Sequence, residues 1–327
     1  MGKNDIVSLM SHDLADLCEL RIVDTDIYGG QRSGWFQDDF RYSRRNPVRW
    51  LDHERALSLV SEYKPEFVIV NSGGMSLHQQ TIHYLREKNI LCIGISLSDP
   101  DVFPYHGRIY SHLYDIYYTN SVFSIKSQYS KHANVKLLPF AASPRLHRPL
   151  PGIEKVFDIV VVGHARADRI KIVDHLMKHF SVGVFGNGWG GTTAPVHGEE
   201  HVRAINSGRM YLSFSKTGAG YFNIKVGLFE AAACKTFLIS EYFGEMERYY
   251  KYGLEVVGYR QVTNLVRAID YYLEKQSLRD WIAQNAYDRC LREHTWHSRW
   301  KAVLSDITNS RLNRTDQVFP AAHNRRG

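Results

Sequence analysis

Lys225 and Glu230 are the side chains of this 327-residue chain best suited by type and spacing to do chemistry. They lie in Thr217–Ser240, TGAGYFNIKVGLFEAAACKTFLIS. An apolar strand, Met210–Phe214, leads through a loop holding Gly218, Gly220 and Asn223 into a helix expected over Asn223–Ala233. A second strand is expected at Thr236–Ile239. Such a strand–loop–helix aims backbone N–H groups and the positive end of a helix at one spot, which suits a phosphate. Lys225 adds a full positive charge there, and Glu230 is an acceptor-only group fit to hold sugar hydroxyls. Five residues apart, the two sit roughly 140° around a helix axis, so each addresses a different part of one long ligand. The ligand these features fit is a nucleotide diphosphate with its ribose.

Other loops offer further groups, each with a structural alternative. Gly163-His-Ala-Arg-Ala-Asp-Arg169 follows the strand Phe157–Val162. Gly163 lets backbone approach a ligand, and Arg169 can present a planar fork to a diphosphate; the alternative is a surface arginine. Gly186-Asn-Gly-Trp189 follows Val182–Phe185, and Trp189 is either a base-stacking ring or a core ring beside a turn. In the first half, Asp99 in Leu97-Ser-Asp-Pro-Asp101 is a candidate general base, or else an aspartate fixing a turn. Asn71, Gly73 and Gly74 are candidates to hold an acceptor sugar, and His78 and His106 carry no motif. Asp24-Thr-Asp26 has the spacing of a metal-binding DxD but lies in the half without Lys225 and Glu230, so it is read as a decoy and no metal is expected. Trp35–Trp50 interleaves aromatics with Arg41, Arg44, Arg45 and Arg49, a pattern suited to nucleic acid or a phosphorylated acceptor, or to a folded loop with internal salt links.

These groups need a scaffold, and the hydrophobic pattern supplies one. Strand-like runs at Arg21–Asp24, Glu66–Val70, Ile90–Ile95, Asp115–Tyr118 and Val135–Leu138 alternate with helical patterns at Asp5–Leu20, Leu51–Tyr63, Ser76–Lys88 and Val122–Tyr129. A second series has strands at Phe157–Val162, Val182–Phe185, Met210–Phe214, Thr236–Ile239 and Glu255–Val257. Its helices are at Asp168–His179, Glu200–Asn206, Asn223–Ala233, Glu241–Tyr250 and Val262–Glu274, with closing helices at Ser277–Glu293 and Thr295–Ile307. Continuous apolar strands alternating with helices mean parallel sheets covered on both faces. The predicted fold is α/β, with two doubly wound Rossmann-like domains facing a cleft. The proline-rich stretch at 141–152 reads as a linker between domains at 1–140 and 153–294. A helix at 295–308 returns to the first domain, where its stripe Trp296, Trp300, Val303, Leu304 needs a partner surface. A polar, basic tail at 309–327 is expected to be disordered.

Bulk properties narrow the class. The formal charge is +7, and residues 1–150 are near balance, so the excess lies in the second half. That suits an anionic ligand there, or a solvated surface. No apolar run approaches the ~20 residues of a membrane span, and the first residues do not read as a signal peptide. Four scattered cysteines without CxxC suggest reduced thiols and a cytoplasmic protein.

The combination of VVG…R at Val161–Arg169, FGNGW at Phe185–Trp189, K-x4-E at Lys225–Glu230 and the closing EHTWHSRW at Glu293–Trp300 resembles glycosyltransferases of the GT-B fold, in particular the spore-maturation-protein (CgeB-like) group. Ser98-Asp-Pro100 is similar to that group's Asp-Asp-Pro with the first Asp replaced, and Lys225 stands where such enzymes often have Arg. The resemblance implies a donor-binding second domain and an acceptor-binding first domain. It also implies metal-independent transfer from a nucleotide sugar, a UDP-sugar by preference, to an acceptor that is a glycan, lipid-linked glycan, small molecule or DNA. Two alternatives stand beside it: a phage-type DNA glycosyltransferase acting on a flipped base, and a sugar-nucleotide-binding module without turnover.

Overall fold

The computed structural model describes residues 6–23, 53–190 and 194–318. Asp24, Asp26, the segment 35–50 and the last nine residues lie outside them. The chain divides into two compact units, one formed by its first 20 residues with Phe140–Arg299, the other by Arg21–Pro139 with the chain from Trp300 onward.

The first helix, α1 (Ile6–Ala15), belongs to the unit of the second half. The domain expected over 1–140 is corrected accordingly. Leu9 enters the second-half core beside Ala142 and Leu146, and Arg145 pairs with Asp13 (3.4 Å) and with Asp16. The stretch 141–152 is likewise part of that unit: Ala142 N–H donates to His294 O (3.0 Å), and Ala142 O accepts from Trp296 N–H (2.9 Å).

The first-half unit is built from α2 (His53–Tyr63), β1 (Phe67–Val70), α3 (Gln79–Glu87), β2 (Leu91–Ser96), α4 (Gly107–Tyr110), β3 (Ile116–Thr119), α5 (Val122–Lys126) and β4 (Val135–Leu137). Its strands pair in parallel in the order β1-β2-β3-β4. Ser121 caps α5 by accepting from Ser124 N–H (3.2 Å), and His78 caps α3 through Gln80 N–H (3.2 Å). Residues 21–23 form no strand, against the expectation for Arg21–Asp24.

The second-half unit carries β5 (Phe157–Val162), α6 (Ala167–Leu176), β6 (Val182–Phe185), α7 (Gly198–Asn206), β7 (Gly208–Ser213), α8 (Val226–Ala233), β8 (Phe237–Glu241), β9 (Val257–Tyr259), α9 (Val262–Glu274) and α10 (Gln276–Glu293). Its parallel sheet has the order β6-β5-β7-β8-β9. Residues alternate between two cores, as strand geometry requires. Val160, Tyr211 and Leu238 face one side with Leu228, Phe229 and Ile205, while Ile159, Met210 and Phe237 face the other with Val173, Leu265 and Ile282. Both faces are therefore covered, and this is why the strands read as unbroken apolar runs. The helix expected over Glu241–Tyr250 is instead the end of β8 followed by a 3-10 turn, Gly244–Arg248.

The last helix, α11 (Trp296–Val318), runs ten residues beyond the expected end, through part of what was read as a disordered tail. Trp296, Trp300, Val303 and Ile307 are buried. Asp306 of α11 accepts from Tyr118 Oη of β3 (2.8 Å) and pairs with Lys136 of β4 (2.6 Å), so this helix packs on the first-half sheet.

Candidate functional site

In an open parallel sheet, ligands lie beyond the carboxyl ends of the strands where the winding reverses. In the second-half sheet that reversal falls between β5 and β7. The loops leaving these two strands are Gly163–Arg166 and Phe214–Lys225, which contain the candidates Gly163, Gly218, Gly220, Asn223 and Lys225.

The two loops are joined. Arg166, at the N-cap of α6, grips Asp168 through two hydrogen bonds (2.6 and 3.1 Å) and donates to Lys216 O (3.1 Å). Arg169, one turn into α6, lies over the Phe214 ring (5.4 Å) and donates to His164 O (2.8 Å), while its buried Nε makes no hydrogen bond. Burial first and then the neighbouring Arg166 push its pKa down, against the opposing pull of Asp168 and Glu241. Glu241, ending β8, braces the same region by accepting from Ser215 N–H (2.7 Å) and Lys216 N–H (3.0 Å).

Gly163, Gly186 and Trp189 form the wall beside this crevice. Gly163 N–H donates to Phe185 O (2.8 Å), and Trp189 Nε1 donates to Gly163 O (2.7 Å). At Gly186 φ is 141°, and a Cβ would sit 2.2 Å from Gly163 O, so only glycine allows the loops to meet. The Trp189 ring packs on the β5–β6 core, which is the structural alternative stated for it. Thr217–Phe222 turns back on itself through Thr217 N–H to Tyr221 O (2.7 Å) and carries Gly218 and Gly220 at its tip; Asn223 follows, its N–H bonded to Ser215 O (3.0 Å).

Helix α8 starts at Val226, three residues later than expected, which makes Lys225 its N-cap residue. The half-buried Lys225 thus stands at the helix's positive end, on the strand edge described above. The helix is alanine-rich and lies close to β7: a Cβ on Gly227 would fall 2.1 Å from Tyr211 Oη.

Glu230 lies in the second turn of α8 and meets two histidines that carry no sequence motif. His201 of α7 lies 3.0 Å from Oε2, and His147, between two prolines, lies 3.4 Å from Oε1. Burial raises the Glu230 pKa, but the two imidazoles outweigh it and hold the group ionised. Three potential ligand atoms within 4.8 Å have the types and spacing of a metal site. The backbone sets the His147 tautomer. Ser143 N–H points at His147 Nδ1 (3.2 Å), so Nδ1 accepts and the proton of the neutral ring sits on Nε2, facing Glu230. A ring in that tautomer donates to the carboxylate.

The first-half candidates have different surroundings. Asp99 is 1% exposed, and its Oδ2 accepts from Thr119 Oγ1 (2.7 Å) and Tyr129 Oη (2.8 Å). Burial raises its pKa against those hydrogen bonds. Through these hydrogen bonds to Oδ2, Asp99 holds its loop. Gly73 O accepts from Tyr117 Oη (3.0 Å), Gly74 O from Tyr114 Oη (2.5 Å), and Gly74 N–H donates to Asn71 O (3.0 Å). The backbone of Asn71, Gly73 and Gly74 is thus engaged within its own unit. His106 packs beside Gly73, where a Cβ would lie 2.4 Å from its ring.

No described helix is long and apolar enough to cross a membrane. No curated protein matches the sequence. Solved structures do. The chain is similar to sucrose-phosphate synthase from Thermosynechococcus elongatus, with 13% identity, 80% of this chain and 77% of that one covered and a TM-score of 0.58. It is similar to Anabaena HepE in complex with UDP-glucose, with 10% identity, 85% and 90% covered and a TM-score of 0.55. It is also similar to a glycosyltransferase from Rickettsia africae, with 10% identity, 85% and 88% covered and a TM-score of 0.56. The two parallel sheets flanked by helices match these GT-B structures. The family model described as glycosyl transferase-like matches residues 142–305, half of the chain and all of the crevice just described, and the protein belongs to that glycosyltransferase family.

Proposed function

We propose that the protein transfers a sugar from a nucleotide diphosphate sugar, a UDP-sugar by preference, to an acceptor, without a metal ion. The observation that carries this reading is the gathering of Arg169 and Lys225, with Glu230 on the same helix as Lys225, around the winding reversal of the second-half sheet. In this reading Arg169 and Lys225 meet the diphosphate, and Glu230 holds ribose hydroxyls. The charge that grows on the diphosphate as the glycosidic bond breaks is met by these cations and by the N-terminus of α8. They act where other enzymes use a divalent cation. That HepE is described with UDP and with UDP-glucose supports the choice of donor. The CgeB-like subfamily remains our assignment from the motifs quoted above. In the same reading Asp99 is the candidate base, and Asn71, Gly73 and Gly74 are the candidate acceptor residues.

Incubating the protein with a panel of nucleotide sugars and following release of nucleotide diphosphate in EDTA tests the proposal. Release from one UDP-sugar above the uncatalysed rate is expected. Tight binding with no release from any donor would favour a sugar-nucleotide-binding module, and absence of both would overturn the reading.

A further inference from the structure

The cluster of His147, His201 and Glu230 goes beyond the donor site as proposed, although its role rests on that reading. A carboxylate offers about four lone-pair positions. His147 Nε2 and His201 Nε2 face one oxygen each, leaving lone-pair positions on both oxygens for hydroxyl donors. The two rings differ. His147 is 2% exposed and its tautomer is fixed by Ser143 N–H, so a second proton on Nδ1 would face an N–H donor. His201 is 18% exposed at its side chain and can exchange its proton with solvent.

We propose that His147 and His201 are positioning residues of the nucleotide site: both orient the Glu230 carboxylate, and His201 carries the proton that cancels its charge beside an anionic donor. The other titratable groups facing Glu230 are Tyr211 and Cys234. Burial pushes the tyrosine up and the thiol up to about 12, so both stay neutral through the physiological range. Burial pushes His147 down and keeps it neutral. Burial also pulls His201 down, but Glu230 and its hydrogen bond raise it overall. Titration of the cluster therefore falls to His201. Below its pKa the His201–Glu230 pair is neutral. Above it the pair carries a net negative charge next to a diphosphate, and donor affinity falls.

The test uses the full-length protein. Binding of UDP-, ADP-, GDP- and dTDP-glucose, whose diphosphates do not titrate near neutrality, is measured by calorimetry between pH 6.5 and 9. For the donor bound best, wild-type affinity is expected to fall about threefold to tenfold across that range. His201→Gln keeps an N–H donor to Glu230 but cannot titrate, and its affinity should be flat with pH. Parallel pH dependence in wild type and His201→Gln would overturn the proposal while leaving the donor reading intact. Failure of all four donors to bind wild type would overturn both. An NMR titration of the imidazoles without ligand checks the cluster independently. His201 should titrate above an ordinary histidine and move down in Glu230→Gln, with His147 remaining singly protonated. An unshifted His201 or a His147 that takes up a proton would also overturn it.

Discussion

Glu230 and Asp99 are both carboxylates withdrawn from water, one in each unit, and their partners make them opposites. Glu230 faces two imidazoles, one able to carry a positive charge, and burial is outweighed so that the group stays ionised. Asp99 accepts from hydroxyls, and burial prevails, so its pKa rises. The loops around them differ in the same sense. The second-half crevice gathers Arg166, Arg169 and Lys225, with a buried Nε on Arg169 that has no acceptor. In the first-half loops the hydroxyls of Tyr114, Tyr117, Thr119 and Tyr129 are given to Gly74 O, Gly73 O and Asp99. A buried acid alone says little about function; which groups face it decides its charge.

The largest effect that can break this comparison is on stability. Asp99→Ala strands two buried hydroxyls, those of Thr119 and Tyr129, at about 1–3 kcal/mol each. Thermal or denaturant unfolding should show that loss, with affinity for the nucleotide unchanged. A variant that folds as well as wild type but loses transfer would mark Asp99 as the catalytic base.

A smaller effect separates the two acids by pH. Asp99 has a folded pKa above its unfolded value, so its contribution to stability falls as pH rises past the ordinary aspartate range. Glu230 has a depressed folded pKa, so its contribution is present above the ordinary glutamate range and is lost as pH falls through the folded value. Asp99→Asn should therefore gain stability relative to wild type as pH rises above about 4, whereas Glu230→Gln should lose it as pH rises from about 2 towards the ordinary glutamate value. Melting curves of both variants across these ranges check the signs, and parallel curves would erase the contrast.

Smallest of all, chelation should change nothing. On the proposed reading the donor charge is met by Arg169 and Lys225, and the neutral His147 donates to Glu230. Nucleotide release abolished by EDTA and restored by magnesium or manganese would reassign the cluster, or return weight to Asp24 and Asp26.

Much of this was legible in the sequence because it is local. Unbroken runs such as FDIVVV and a strand–loop–helix around Lys225 announce a parallel sheet and its ligand edge, and Phe157–Val162 and Val182–Phe185 match their expected limits. What was missed depends on distant partners. The apolar face of α1 does not say that Leu9 lies with Ala142. His147 looks like part of a proline-rich linker, and His201 like a surface histidine in GEEHV, until folding brings both to Glu230. The stretch Glu241–Tyr250 reads as a helix because Met246, Tyr249 and Tyr250 recur at helical spacing, but the 3-10 turn Gly244–Arg248 and the two residues after it bury the same side chains.

The central claim is that the second-half crevice holds a nucleotide diphosphate through Lys225. Isothermal titration of the full-length wild type and Lys225→Ala with UDP and with UDP-glucose tests it most directly. Loss of a charge-assisted contact worth about 1.5–3 kcal/mol predicts affinity weakened roughly tenfold to a hundredfold, with the melting temperature preserved. Equal affinity of the two proteins for every nucleotide diphosphate tried would contradict the account.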